Sequence, residues 1–239
     1  TTGVEACETA VKLARKWAYQ KKGVPDNKAK IVFAANNFWG RSLAAVSSST
    51  DPTAFKEFGP YVPGFEVIPY NDLPALEKAC SDPHTAAFMV EPIQGEAGVV
   101  VPDEGYLKGV RQICTKENVL WIDDEVQTGL ARTGRRLCVD YDNLKPDIVV
   151  LGKALSGGLY PVSAALANAI DDVNALHKAW RTWSTYGGIL WMQDCVAALQ
   201  VLEEENLAAN SEKNGETYFA KSFQNTERIS VCRKRKGSS

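Results

Sequence analysis

The sequence predicts an α/β fold: a mostly parallel sheet with helices on both faces. Three short apolar runs carry that prediction, Ala86 to Val90, Val119 to Ile122 and Ile148 to Leu151. Runs of four or five such residues, separated by helix-length polar-patterned stretches, are the pattern of parallel strands. Each run also ends in charge, at Glu91, at Asp123 and Asp124, and just before Lys153. In open α/β sheets a ligand sits beyond the carboxyl ends of the strands, so these charges fall where a site belongs.

The connecting segments agree. Cys7, Ala10, Val11, Ala14, Trp17 and Ala18 share one helical face, with Glu5 and Glu8 early and Lys12, Arg15 and Lys16 late, an order that suits the helix dipole. Gly23 and Pro25 stop this helix, and Ile31 to Ala35 form a strand that runs into Asn36-Asn37-Phe38-Trp39-Gly40-Arg41. A loop rich in Ser, Pro and Gly is expected from Ser47 to Gly64. Then come a strand over Phe65 to Pro69, a helix capped by Asp72 and running through Cys80, and a strand over Thr85 to Val90. Tyr106 to Glu117 is amphipathic, with Leu107, Val110 and Cys114 on one stripe, and leads into the strand ending at Asp124. After the strand Asp147 to Leu151, Gly157-Gly158 turns the chain into Pro161 to Ala167. Met192, Val196, Leu199 and Leu202 mark a long helix ending in Glu203 to Glu205, and a second, polar helix is predicted over Ser211 to Phe223. The tail from Arg228 to Ser239 lacks periodicity and is expected to be disordered.

Totals exclude several classes of function. Lys and Arg number 27 against 29 Asp and Glu, so there is no general field for nucleic acid. No apolar segment approaches the roughly 18 to 20 residues of a membrane span. The six cysteines stand far apart without metal-type spacing, which predicts reduced packing thiols, a reducing compartment and no metal site. At 239 residues the chain can bury a substantial core without cross-links. Its abrupt opening on Thr1-Thr2-Gly3 leads us to expect a fragment or a processed chain.

An acid and a lysine at the ends of neighbouring strands are the two groups that pyridoxal phosphate chemistry needs: a partner for the pyridinium nitrogen and an amine for the aldehyde. Side-chain alternation lets only one of Asp123, Asp124 and Glu125 point at such a ring. Taken singly, each candidate has an ordinary reading. Lys153 is then a solvated lysine, Gln127 a surface residue in a turn, Gly3 part of a helix cap, and Phe38 and Trp39 core or interface aromatics. A nucleotide-binding domain is disfavoured, because no Gly-x-Gly-x-x-Gly turn follows the first strand.

Linked motifs raise the odds. Glu91-Pro92-Ile93-Gln94-Gly95-Glu96-Ala97-Gly98, Asp124-Glu125-Val126-Gln127-Thr128-Gly129 with Arg132-Thr133-Gly134, and Gly152-Lys153-Ala154-Leu155-Ser156-Gly157-Gly158 resemble the signature blocks of class III (ω-type) pyridoxal-phosphate aminotransferases in order and approximate spacing. Thr2-Gly3-Val4-Glu5-Ala6, Asn37-Phe38-Trp39-Gly40-Arg41 and Ser184-Thr185-Tyr186-Gly187-Gly188 extend the resemblance to the family's ornithine-type branch, from residue 1 to about residue 207. The resemblance implies an incomplete large domain of the fold-type I transferases over 1–207, followed by a divergent helix and basic tail over 208–239 without the small domain.

By the same resemblance, Lys153 is the Schiff-base lysine and proton carrier, and Asp124 the pyridinium partner. Gln127 lies near the cofactor's phenolic oxygen, Phe38 stacks on its ring, and Gly3 and Val4 meet its phosphate at a helix start. Thr185 reaches the phosphate of the opposite subunit, which implies a homodimer or higher homo-oligomer. Arg41 holds the substrate α-carboxylate. Trp39 and Glu96 belong to the substrate pocket, and Glu91 is a structural hydrogen-bonding acid. The implied reaction moves the δ-amino group of L-ornithine to 2-oxoglutarate, giving glutamate 5-semialdehyde and glutamate. Acetylornithine or 4-aminobutyrate as donor, and a truncated non-catalytic relic, are the alternatives. The implied compartment is the mitochondrial matrix, with the cytoplasm second. The chain departs from the family at Arg181-Thr182-Trp183 and Ile189-Leu190-Trp191-Met192, where Glu-His-Gly and Asn-Pro-Leu-Gly are usual, and similarity fades beyond about Gly215.

Overall fold

The first helix, α1 (Gly3–Trp17), begins where Glu5 reaches back to accept the Thr2 N–H at 2.7 Å, and buries Cys7, Ala10, Val11, Ala14 and Trp17 along one stripe. A π-helical turn, Ala18–Lys22, carries it to Gly23, whose φ of 81° is the left-handed conformation that ends helices. A computed structural model describes residues 2–167 and 189–222. The Ser184 to Gly188 motif with Thr185, and the tail expected to be disordered, lie outside them.

Six strands form one sheet in the order β2-β1-β3-β4-β5-β6: β1 (Lys30–Ala34), β2 (Phe65–Ile68), β3 (Thr85–Val90), β4 (Leu120–Asp124), β5 (Ile148–Leu151) and β6 (Ala164–Ala167). All neighbours pair parallel except β5 and β6, so the expected mostly parallel sheet is present. Every residue of β3 and β4 is buried, which explains why both show continuous apolar runs rather than alternation.

Alternation instead sorts their side chains between two cores. On one face Phe33, Met89, Ile122 and Val150 meet α1. On the other, Val32, Phe88 and Trp121 meet Leu76 and Ala79 of α4 (Leu73–Cys80) and Leu107 and Val110 of α5 (Tyr106–Lys116). Each fully buried Phe or Ile contributes roughly 1.5–3 kcal/mol. The register then sets the level of the strand ends. Val90 pairs with Asp123, and Asp124 with Val150, so Glu91, Asp124 and the approach to Lys153 arrive together.

Two expectations need adjusting. The stretch expected as loop from Ser47 to Gly64 includes α3 (Pro52–Phe55) and follows directly on α2 (Leu43–Ser47); its polar residues are in part caps, with Asp51 accepting from Thr53 as Ser42 does from Ala45. After α6 (Ile189–Glu204), the last helix among the described residues, α7, starts at Leu207, not Ser211, and runs to Ser222. The Ser211 hydroxyl donates to the Arg132 carbonyl at 2.9 Å and Arg135 pairs with Glu212 at 3.4 Å, so this helix lies against the segment after β4. Among the described residues no helix is long and apolar enough to cross a membrane. Cys7, Cys80, Cys114 and Cys138 are buried and Cys195 is half-buried, all of them outside any disulfide, as the spacing predicts.

Candidate active site

A cavity of about 410 Å³ opens beyond the carboxyl ends of the central strands. That is within the usual size range of small-molecule sites. Its floor comes from β4 and α1. Asp124 projects into it, its carboxylate accepting the Val126 N–H at 3.1 Å and facing the Cys7 thiol at 3.6 Å. Burial pushes Asp124 up to about 6, moderated by those two hydrogen bonds and by the charge of Lys153. The Cys7 thiol is pushed well up by burial and by Asp124.

The neighbours of Asp124 face away from the cavity. Asp123 is fully buried, and among the described residues neither of its oxygens finds an N–H or hydroxyl donor. Burial and the adjacent Glu125 and Asp124 hold its pKa well above the ordinary carboxylate range. Glu125 accepts from the Thr128 hydroxyl and, at 3.1 Å, from the Val139 N–H, and burial raises it to about 7. Strand alternation therefore resolves the three acids, and only Asp124 lines the cavity.

The remaining walls are loops at strand ends. After β1, Asn37 donates to the carbonyls of Ala34 and Ser48, at 2.7 and 2.9 Å, and turns Phe38 and Trp39 inward. Gly40 has φ 144°, and a Cβ there would fall 2.2 Å from Val4 Cγ2, so glycine lets this loop touch the start of α1. After β3, the Glu91 carboxyl accepts the Phe38 N–H at 2.9 Å. Burial and the Asp124 charge push Glu91 up to about 8. Gln127 donates to Glu96 at 3.1 Å, its amide oxygen lying where a Cβ on Gly95 would be.

Lys153 follows β5 with φ 42°, a left-handed conformation that is costly for a residue with a Cβ. Next to it, Gly152 lies close against Gly3 and Val126. Gly3 and Val4 also line the cavity, and the first turn of a helix leaves its N–H groups without intrahelical acceptors, at the positive end of the dipole. One cavity thus brings together a buried acid, an amine, apolar walls and a helix start suited to an anion.

The sequence matches the aminotransferase class-III family over residues 1–234. The chain belongs to the class III aminotransferases. It is 66% identical over 215 residues to the mitochondrial ornithine aminotransferase of Rattus norvegicus, covering 90% of this chain and 48% of that protein. A crystal structure of ornithine aminotransferase from Toxoplasma gondii superposes with a TM-score of 0.88 at 50% identity, covering 91% of this chain and 52% of the other. A second Toxoplasma gondii structure, with the same score and identity and covering 91% and 51%, is described as showing partial occupancy of PLP at the active site. The chain spans about half the length of the curated relatives it matches. The family match continues past Gly215, where the motif resemblance fades.

Within this class III aminotransferase chain, Lys153, Asp124, Gly3, Val4, Phe38, Trp39, Gln127 and Glu96 all line the cavity. Trp39 does so while packed as a core aromatic, stacked on Phe33 at 5.6 Å and donating to Ser48 at 2.8 Å. Arg41 is not in the cavity lining: it is exposed, its guanidinium 5.7 Å from the Phe38 ring centroid. Sequence reasoning passed over Cys7, Val126 and Val162 as lining residues. Cys7 carried a usable signal, since it lies one helical turn beyond Gly3.

Proposed function

We propose that this protein is a pyridoxal-phosphate-dependent ornithine aminotransferase, transferring the δ-amino group of L-ornithine to 2-oxoglutarate. The observation that carries the reading is that Asp124 and Lys153 open onto one cavity whose wall includes the start of α1. The identities to ornithine aminotransferases support the substrate choice.

The residues present fit the cofactor. Asp124 would lie against a protonated ring nitrogen, Phe38 against the ring, Gln127 near the phenolic oxygen, and the Gly3 and Val4 N–H groups at the phosphate, with Thr185 of a second copy completing that end. Pyridoxal phosphate, when bound, supplies an aldehyde and an electron-withdrawing ring.

The chain's own groups do the rest. The Lys153 amine would hold the aldehyde and, once released, would carry the proton between the substrate's amino-bearing carbon and the aldehyde carbon. Its backbone is left-handed just past the end of β5, and it lines the cavity. Asp124, raised to about 6 and so mostly ionised at neutral pH, would keep the ring nitrogen protonated. Glu96, exposed and held by Gln127, would present a carboxylate to the second ammonium of a diamino acid, while Arg41, exposed on Phe38 outside the cavity lining, would have to turn inward to offer its guanidinium to the substrate carboxylate.

The reading includes a homodimer and the mitochondrial matrix, the latter supported by the names of the rat and Drosophila relatives. Donor profiling tests the function. With 2-oxoglutarate as acceptor, ornithine should outpace acetylornithine and 4-aminobutyrate; preference for either of those, or no turnover at all, would reject the assignment.

A further inference from the structure

Two loops that wall the cavity meet through two side chains: Gln94, whose amide donates to the Ala35 carbonyl at 2.7 Å, and Glu91. Glu91, the first residue past β3, is 8% exposed; its carboxyl receives the Phe38 N–H at 2.9 Å, and the backbone N–H of Gly95 favours its charged form. Phe38 belongs to the loop after β1, and Gly95 to the loop that carries Glu96. The Tyr70 hydroxyl donates to the backbone carbonyls of Glu91 and Pro92, at 3.2 and 3.1 Å, fixing the main chain from which this carboxyl projects. Ionised, a carboxyl offers two acceptor oxygens in one plane, which is what two converging amides require.

Building on the class III aminotransferase reading of this site, we propose that Glu91 is a positioning residue whose carboxyl fastens the Phe38 loop to the Gly95 loop and so fixes the gap between the ring-facing aromatic and the substrate-facing carboxylate of Glu96. Its place beside Asp124 gives the fastening a second consequence. The groups that face Glu91 are Asp124 from β4, Lys153 from the end of β5 and the Cys7 thiol from α1. Asp124 titrates first, near 6, and Glu91 later, near 8. At neutral pH these two acids therefore carry a single negative charge, on Asp124. Above pH 8 a second negative charge forms beside it, in a cavity that takes an anionic cofactor.

Hydrogen exchange on the cofactor-free chain tests the fastening. In Glu91→Leu the Phe38 and Gly95 amides should exchange at least about tenfold faster than in the parent, with β3 unchanged. Above pH 8, where the parent's carboxyl is ionised, Glu91→Gln, which keeps one acceptor oxygen, should lose protection at one of the two. Unchanged protection at both amides in both variants would overturn the proposal.

Titration with pyridoxal phosphate at pH 7 and pH 9 supplies a readout that a purely structural tie would not move. The parent's Kd should rise about tenfold more across that interval than that of Glu91→Gln. Parallel curves would overturn the positioning role. A parent that binds no pyridoxal phosphate at either pH would reject the aminotransferase reading itself, and the exchange data would still decide the fastening.

Discussion

Asp123 and Asp124 are consecutive on β4 and almost equally hidden, at 0% and 4% exposure, yet they lie on opposite faces of the sheet. Asp124 shares its face with α1, has a thiol and an N–H for its oxygens, and looks into a cavity with Lys153 on its wall. Asp123 looks into the closed core on the other side, where Glu125 is its polar neighbour. Burial raises both pKa values, so a perturbed acid does not by itself mark a site. What separates them is access and a counter-charge.

The comparison can be broken at several strengths. The largest effect is expected from Asp124→Asn, which removes the proposed ring-nitrogen partner while keeping the shape. Turnover should fall by about 10²–10³-fold, the range seen when one preorganised electrostatic group is lost. The cofactor-free chain should at the same time become more stable above pH 6. The sign follows from the raised pKa: an acid whose folded pKa exceeds its unfolded value favours the native state at low pH, and that stability is lost as pH rises through about 6. A neutral side chain does not lose it.

Asp123→Ala should stabilise without harming function, by about 1–3 kcal/mol, the usual penalty for a buried polar group lacking a donor. Urea unfolding should show the gain growing with pH, since the parent's Asp123 must ionise in the core. Pyridoxal phosphate affinity should not change. If Asp123→Ala weakened the cofactor as much as Asp124→Asn, the division between the two faces would be wrong.

The smallest effect is expected at the cavity mouth. Gly95→Ala places a Cβ on the Gln127 amide, a flexible side-chain end that can move away. Stability should change by no more than about 0.5 kcal/mol. The Gln127–Glu96 hydrogen bond should be lost, and the KM for ornithine should rise with little change in kcat.

The same two faces show what the sequence could reveal. Apolar runs with terminal charges located β3, β4, β5 and their acids and lysine, because strand burial and strand-end chemistry are both local in sequence. Period-two alternation limited the cavity-facing acid to one of three but could not say which, since that depends on where α1 packs. The contact of Cys7 with Asp124 joins residues 117 positions apart and had no local signal. Arg41 shows the opposite limit, because a motif position does not specify a side-chain direction, and here the guanidinium lies on Phe38 outside the cavity lining. The left-handed backbone at Lys153 was likewise illegible, as nothing in a lysine announces a positive φ.

The most direct test of the central claim, that an acid and an amine from neighbouring strands serve one cofactor cavity, is borohydride reduction in the presence of pyridoxal phosphate followed by peptide mass mapping. The expected result is a pyridoxyl group on Lys153, strongly diminished in Asp124→Asn and undiminished in Asp123→Ala. Labelling spread over surface lysines, or labelling of Lys153 that is indifferent to Asp124, would contradict it.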